Sequence, residues 1–316
     1  MPRSELGQRL LVAAIGIPLV GVAAWLGGWV LGLVLALFAA GGALELYRLS
    51  EHTGARPFRV VGAATAAALV ATATLVPDPV AVAPVWALLI LALTLWCAGA
   101  AVFQRGPTAR PLGAISATIL GALLCGFGLA YPLFLRHMLP ETGAPVLAPG
   151  SIGLHRVIVG NLETVPTGAA AGLTLLAFPL VLTWVSDTFA YFLGKAIGRR
   201  KLIPTVSPGK TVEGSAAGLV GCLLVGALAG GLVLNGWLGL PVGWLEGALA
   251  GGIISVVAQI GDLAESLLKR EAGVKDSGTL FPGHGGILDR LDALFFSFPV
   301  GYWALVYFLS PGTLLP

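Results

Sequence analysis

Long apolar runs recur along this chain, and they limit what it can fold into more than any other feature. Each run approaches the ~20 residues that a helix needs to cross a bilayer. We assign nine of them, over residues 9–27, 29–48, 60–77, 84–103, 112–138, 169–193, 213–234, 244–268 and 292–310. Hydrophobic residues make up 57% and charged residues 10%, against roughly a quarter charged in an average soluble domain. The sequence therefore predicts an all-α, polytopic integral membrane protein with nine transmembrane helices.

The placement of Lys and Arg predicts the orientation. If the N-terminus is cytoplasmic and the spans alternate, only Arg136 and Arg156 of the 18 basic residues fall outside. Basic residues are retained on the cytoplasmic side during insertion, so we expect a cytoplasmic N-terminus. We also expect the first span to stay uncleaved, because its apolar pattern continues past Ala24 without a polar break.

Two segments with different roles are predicted on either side of residue 168. Residues 1–168 would hold transmembrane helices 1–5 and an outer loop at 139–168, which carries little chemistry. Residues 169–316 would hold catalytic helices 6–9 and two polar cytoplasmic loops, at 194–212 and 269–291. The three cysteines lie inside apolar runs and are expected to be buried and unpaired.

Several carboxylates lie in or next to the late apolar runs, where a charge is expensive. They are Asp187, Asp262, Glu265, Asp289 and Asp292. On a helix, Asp262, Glu265 and Lys269 share one face. Mg²⁺ in proteins typically takes one or two carboxylates plus substrate phosphates, and nearby Lys and Arg would neutralise a polyphosphate. The alternative is that each acid pairs with a basic side chain and only holds helices together.

Two glycine-containing loops accompany these acids. Residues 207–214 read SPGKTVEG and place Ser207 and Lys210 at a helix start, where backbone N–H groups and a cation can meet a phosphate. Residues 281–286 read FPGHGG, and their glycines would let the backbone approach a ligand beside His284. Neither loop is a Walker A sequence.

Residues 266–270 (SLLKR) and 275–292 (KDSGTLFPGHGGILDRLD) resemble the signature of the phosphatidate cytidylyltransferases, also called CDP-diacylglycerol synthases. Residues 186–191 (SDTFAY) and 207–214 resemble the same family. Together the similar stretches occupy 184–214 and 259–292, whereas the first 168 residues match only as a run of hydrophobic spans.

The resemblance implies that CTP and phosphatidic acid form CDP-diacylglycerol and pyrophosphate. It also implies a Mg²⁺-dependent site, a second cation and a homodimer. Asp262 and Asp289 would be metal ligands and, with Lys269, catalytic residues; Asp187 and Glu265 are further candidate ligands. The substrate-binding candidates are Ser207, Lys210, Arg270, Lys275, Asp276, His284, Gly285, Gly286, Arg290 and Asp292.

These substrates predict a site just below the cytoplasmic surface of a cell inner membrane, reached by CTP from the cytoplasm and by lipid from the bilayer. Nucleic acid is not expected as a partner, because the net charge is only +3. A CTP-dependent lipid-alcohol kinase would use similar groups but transfer the γ-phosphate. An ion-coupled transporter is less well supported, because the acids gather on one membrane face rather than at the midplane.

Overall fold

In this computed structural model, residues 3–139, 169–281, 283 and 285–309 are described, and helices account for most of them. The predicted outer loop lies almost wholly outside these residues. The helices are α1 (Arg3–Leu26), α2 (Gly28–His52), α3 (Arg59–Leu75), α4 (Pro79–Gln104), α5 (Pro111–Arg136), α6 (Ala169–Ile197), α7 (Val212–Asn235), α8 (Trp244–Glu271) and α9 (Leu288–Leu309). α5 contains a π-helical stretch at Ala122–Phe127 and α7 another at Ala229–Asn235.

Seven helices in the described residues, α2 and α4 to α9, are long and apolar enough to cross a membrane. Two further apolar helices are shorter, namely Ala14–Leu26 within α1 and all of α3. A helical, multi-pass membrane protein is therefore confirmed at this level, and the helices follow the predicted apolar runs to within a few residues at most ends. The two-stranded hairpin β1 (Lys201–Ile203) and β2 (Ser207–Thr211) was not expected from the sequence.

Local residue chemistry explains several helix ends. Gly27 separates α1 from α2 and has a φ of 64°, which glycine adopts without steric cost. Asp78 caps α4, since its side chain accepts hydrogen bonds from the N–H groups of Val80 and Ala81 at 2.8 and 3.2 Å. The Gly27-Gly28 pair therefore separates two helices rather than interrupting one.

Contacts divide the chain into two compact units, and the first comprises Met1–Leu133 with Leu268–Asp292. Tyr47 of α2 is fully buried there and donates a hydrogen bond to the Thr118 carbonyl at 2.9 Å. Gly62 and Gly121 lie against the Tyr47 ring so closely that a Cβ on either would overlap it. Small residues thus let α2, α3 and α5 approach one another, as is common between helices in lipid.

The second unit comprises Phe134–Leu267 with Ala293–Pro316. Its helices also meet through glycines: a Cβ on Gly226 of α7 would overlap the Gly247 carbonyl of α8. Buried hydroxyls are hydrogen-bonded, with Ser186 and Ser255 2.8 Å apart and Thr183 donating to Ser297 at 2.9 Å. The two units describe packing, so the functional division at residue 168 stays a prediction.

Candidate active site

A cavity of 680 Å³ opens within the second unit, between the β1–β2 hairpin and helices α6, α7 and α8. We call it the hairpin cavity. It is lined by Asp187, Ala190, Tyr191, Gly194, Lys195, Gly198, Lys201, Leu202, Ser207, Gly209, Lys210, Thr211, Ser215, Gln259 and Asp262. Its charged lining is therefore three lysines and two aspartates, a mixture suited to a metal-bound polyphosphate.

Lys210 and Asp262 form the central ion pair of the hairpin cavity. The Lys210 Nζ lies 2.6 Å from Asp262 Oδ2, and the side chains keep 26% and 32% of their surface exposed. Ser266, one turn further along α8, donates to Asp262 Oδ1 at 3.4 Å. The Asp187 carboxylate is close enough to interact with the charges of both Asp262 and Lys210. The lysine therefore offsets repulsion between two carboxylates that face the same space.

The hairpin positions Lys210 because both of its ends are fixed. Thr211 ends β2 and caps α7, since its Oγ1 accepts a hydrogen bond from the Gly214 N–H at 3.1 Å. Glu213, in the first turn of α7, accepts hydrogen bonds from the backbone N–H groups of Arg199 at 3.0 Å and Arg200 at 3.1 Å. Gly198 lies so close to Thr211 that a Cβ would overlap its side chain.

Polar side chains on α6, α7 and α8 support the wall of the hairpin cavity. Gln259 donates to Ser255 Oγ at 3.1 Å and to the Ser215 carbonyl at 3.3 Å, and its own Oε1 accepts a hydrogen bond from Ser215. The Ser255 hydroxyl in turn contacts Ser186. These bonds link three helices, so the wall that carries Asp187 and Asp262 is held from several sides.

A second polar group, in the first unit, surrounds Asp289. We call Glu45, Lys269, Ser277, Gly286 and Asp289 the Asp289 cluster. Asp289 Oδ1 lies 2.7 Å from the Lys269 Nζ, with 5% and 12% of the two side chains exposed. Its Oδ2 accepts hydrogen bonds from the N–H groups of Ser277 and Gly286, each at 2.8 Å, and from the Ser277 hydroxyl at 2.9 Å. Four donors thus surround one buried carboxylate.

The structure also describes most of the other predicted residues. Gly285 packs against Asp289 with a φ of 81° and pairs with Phe281 in an isolated bridge. Glu265 is buried on α8. The remaining substrate-binding candidates within the description are exposed or half-buried, and they are Arg270, Lys275, Asp276, Arg290 and Asp292. His284 lies outside the described residues.

The donor set can be tested against a Mg²⁺ ion. Asp187 and Asp262 supply hard oxygen ligands to one cavity, and Mg²⁺ typically uses one or two carboxylates together with phosphates and water. Across the part of the chain that the structure describes, no three His, Cys, Asp or Glu side chains gather closely enough to hold a metal by themselves. The hairpin cavity therefore fits a cation that is shared with a phosphate ligand. That Asp289 is also a ligand stays a prediction.

Sequence reasoning missed several residues of these two sites, among them Ser277 of the Asp289 cluster. Lys195 and Lys201 line the hairpin cavity. In the sequence they are two of many basic residues on the predicted cytoplasmic side, so nothing distinguishes them from lysines that only set the membrane orientation. Gln259 carries no charge to mark it. Glu45 follows a long apolar stretch of its helix and precedes Arg48 and Glu51, and a carboxylate in such a position was a usable signal.

Comparison with known proteins shows the family of the chain. The sequence profile of the cytidylyltransferase family matches residues 7–308. The chain therefore belongs to the cytidylyltransferase family, and the matched residues include the seven helices that are long and apolar enough to cross a membrane. The match also extends through most of the first 168 residues.

Relatives with stated activities are similar along most of the chain. A phosphatidate cytidylyltransferase of Synechocystis is 37% identical over 311 residues, covering 96% of this chain and 97% of that protein. A protein of the same name from Bacillus subtilis is 46% identical over 185 residues, or 57% of this chain and 65% of the relative. Phosphatidate cytidylyltransferase 4, chloroplastic, of Arabidopsis thaliana is 34% identical over 308 residues, or 95% and 73%. The resemblance inferred from the motifs is confirmed.

Proposed function

We propose that this protein is a phosphatidate cytidylyltransferase that converts CTP and phosphatidic acid into CDP-diacylglycerol and pyrophosphate. The observation that carries the proposal is the hairpin cavity, where Lys210 pairs with Asp262 beside Asp187 in a chain of the cytidylyltransferase family. A nucleotide triphosphate needs cations around it, and this cavity offers three lysines.

The lysines of the hairpin cavity would bind the triphosphate. Lys195, Lys201 and Lys210 can each place an ammonium group on a phosphate oxygen, and charge-assisted contacts of this kind are the strong ones. When Lys210 turns to the nucleotide, Asp262 loses its present partner and becomes available to a cation. In this proposal, the Lys210–Asp262 pair gives way to a contact between Lys210 and a phosphate and a contact between Asp262 and a cation.

The reacting groups need little acid–base help. The phosphate of phosphatidic acid is already an anion, so its oxygen can attack the α-phosphorus of CTP while pyrophosphate leaves in line. The main barrier is repulsion between the two phosphates, and fixed positive groups lower it by stabilising the charge that develops. In the proposed reaction, the cavity lysines therefore orient CTP and screen its charge rather than move a proton.

Mg²⁺ is proposed as the resident cofactor, with a second cation also predicted. Asp262 and Asp187 would hold the ion, which when bound supplies charge neutralisation and alignment of the attacking and leaving oxygens. Asp289 remains predicted as a metal ligand and Lys269 as a residue of the nucleotide site. Both stand in the Asp289 cluster, where the lysine balances the buried aspartate.

The finer topology is also proposed. Nine spans with a cytoplasmic N-terminus would leave only Arg136 and Arg156 outside, and the shorter apolar helices Ala14–Leu26 and α3 would complete the count. We further propose a cell inner membrane location, an active site on the cytoplasmic side and a homodimer. Cysteine labelling from either side of sealed vesicles tests the orientation, and cross-linking at graded protein concentration tests the dimer.

A product assay tests the function. Purified protein in phosphatidic acid micelles receives CTP labelled at the α-phosphorus or, in a parallel sample, at the γ-phosphorus. The proposal predicts α-label in lipid and γ-label in pyrophosphate, with both lost in EDTA. In a parallel sample with diacylglycerol micelles, which offer a free hydroxyl, γ-label in the lipid and α-label in CDP would instead identify the lipid-alcohol kinase. Ion flux in proteoliposomes without CTP would support the transporter.

A further inference from the structure

Glu45 is a buried carboxylate within an apolar helix that is long enough to span a membrane. It lies on α2, where 4% of its surface is exposed. Ionisable side chains in such positions are costly and are usually retained for a function. Its partners lie 232 and 243 positions further along the chain, so the contact joins the N-terminal helices to the loop that precedes α9.

One oxygen of Glu45 contacts both ends of the loop at residues 277–288. Glu45 Oε2 accepts a hydrogen bond from the Leu288 N–H at 3.0 Å and lies 3.1 Å from Ser277 Oγ. Leu288 is almost fully buried, so its N–H group needs an acceptor inside the protein. Glu45 supplies that acceptor, and by doing so it fixes the spacing between the two ends of the loop.

The same loop donates hydrogen bonds to Asp289, in the first turn of α9. The Ser277 hydroxyl that contacts Glu45 also lies 2.9 Å from Asp289 Oδ2. Gly278 and Gly286 bring the loop backbone so close to the Glu45 carboxylate that a Cβ on either would overlap it. Residues 277, 278, 286 and 288 of the loop therefore pack around Glu45, and a shift of this side chain would move two of the donors that hold Asp289, the Ser277 hydroxyl and the Gly286 N–H.

We propose that Glu45 is a positioning residue for the reaction, which holds the loop at 277–288 so that Asp289 and Lys269 keep their geometry. This inference rests on the proposed function. Glu45 acts through Ser277 and Leu288 and makes no contact with a reactant. A displacement of about 1 Å in a reacting group can reduce turnover by about 100-fold, so loss of this anchor affects kcat more than the apparent affinity for CTP.

Three substitutions separate anchoring from charge. Glu45→Gln keeps an acceptor oxygen at the same reach without the charge, Glu45→Asp keeps the charge but withdraws it by one methylene, and Glu45→Ala removes both. Tyr47→Phe is the matched control, because Tyr47 is buried on the same helix and its hydroxyl bonds to Thr118 rather than to the loop. The wild-type, full-length protein in detergent is the reference.

The first readout is trypsin cleavage after Lys275, which is exposed two residues before the loop, followed by mass spectrometry without any substrate. We expect Glu45→Ala and Glu45→Asp to be cleaved about tenfold faster than wild type, because local opening exposes the loop. Glu45→Gln and Tyr47→Phe should be cleaved at close to the wild-type rate. Wild-type cleavage of both Ala and Asp variants would overturn the proposal.

The second readout is the split between kcat and KM. We expect kcat to fall about 10- to 100-fold in the Ala and Asp variants, the range seen when a residue that orients a metal ligand is removed. Glu45→Gln should keep most of the activity. An Asp variant as active as wild type beside an inactive Gln variant would show that charge, not anchoring, matters. If Glu45→Ala fails to fold, the Gln and Asp variants decide the question. A wild-type protein that makes no CDP-diacylglycerol would refute the proposed function, while the cleavage assay would still decide the role of Glu45.

Discussion

Lys210→Ala removes the cation that pairs with Asp262 and should weaken CTP binding. The Nζ lies 2.6 Å from Asp262 Oδ2 in a cavity that also holds Asp187. Without Lys210, the two carboxylates lose a nearby counter-charge and the triphosphate loses one ammonium contact. Both changes act in the same direction, because both make the cavity less favourable for an anionic nucleotide.

The size of the effect follows from this geometry. A hydrogen bond to a charged group contributes about 1.5–3 kcal/mol, and a factor of ten corresponds to ~1.36 kcal/mol. The apparent KM for CTP should therefore rise about 10- to 150-fold. Because 26% of the Lys210 side chain is exposed, solvent screening favours the lower part of that range. Lys210→Arg keeps the charge and should show a smaller rise.

Initial rates at varied CTP and saturating phosphatidic acid measure this effect. Arg199→Ala is the control, since Arg199 is an exposed cation close to the hairpin that does not line the cavity and keeps its backbone bond to Glu213. We expect Arg199→Ala to keep the wild-type KM. An unchanged KM in Lys210→Ala, with folded protein, would refute the assignment of the hairpin cavity as the CTP site.

Other predictions concern both sites. Asp289→Asn should abolish turnover in protein that still inserts in the membrane, as measured by product formation beside size-exclusion profiles; retained activity would remove Asp289 from the site. Lys269→Ala should raise the CTP requirement and lower stability by about 3–5 kcal/mol, because it leaves a buried carboxylate without its cation; an unchanged KM and Tm would contradict this. Thr211→Ala should cost about 1 kcal/mol through loss of the α7 cap, seen in a thermal shift, and an unchanged Tm would show that the cap is not stabilising.

The helices and much of the hairpin cavity were predictable from the sequence. Apolar runs fix where membrane helices form, because both length and hydropathy are local properties. Asp187 and Asp262 were noticed because carboxylates are costly in apolar surroundings, and Ser207 and Lys210 because they stand in a glycine-containing turn before a helix. The structure brings all four to one cavity.

The β1–β2 hairpin and the partners of each charge were not predictable in the same way. The hairpin is short and lies between two long apolar helices, so its strands give little periodic signal. The pairing of Lys210 with Asp262 depends on tertiary packing, as does that of Lys269 with Asp289. The hydrogen bonds of Glu45 are the clearest case of contacts that the sequence does not reveal, because its partners are more than 200 residues away in the sequence.

Equilibrium binding of labelled CTP to wild type and to Asp262→Asn, each with Mg²⁺ or with EDTA, decides whether Asp262 binds a divalent ion together with CTP. Asn keeps the size of the side chain but loses the charge that a divalent ion needs. We expect Mg²⁺-dependent CTP binding in wild type and loss of that dependence in Asp262→Asn at unchanged Tm. Equal Mg²⁺-dependent binding by the two proteins would contradict it.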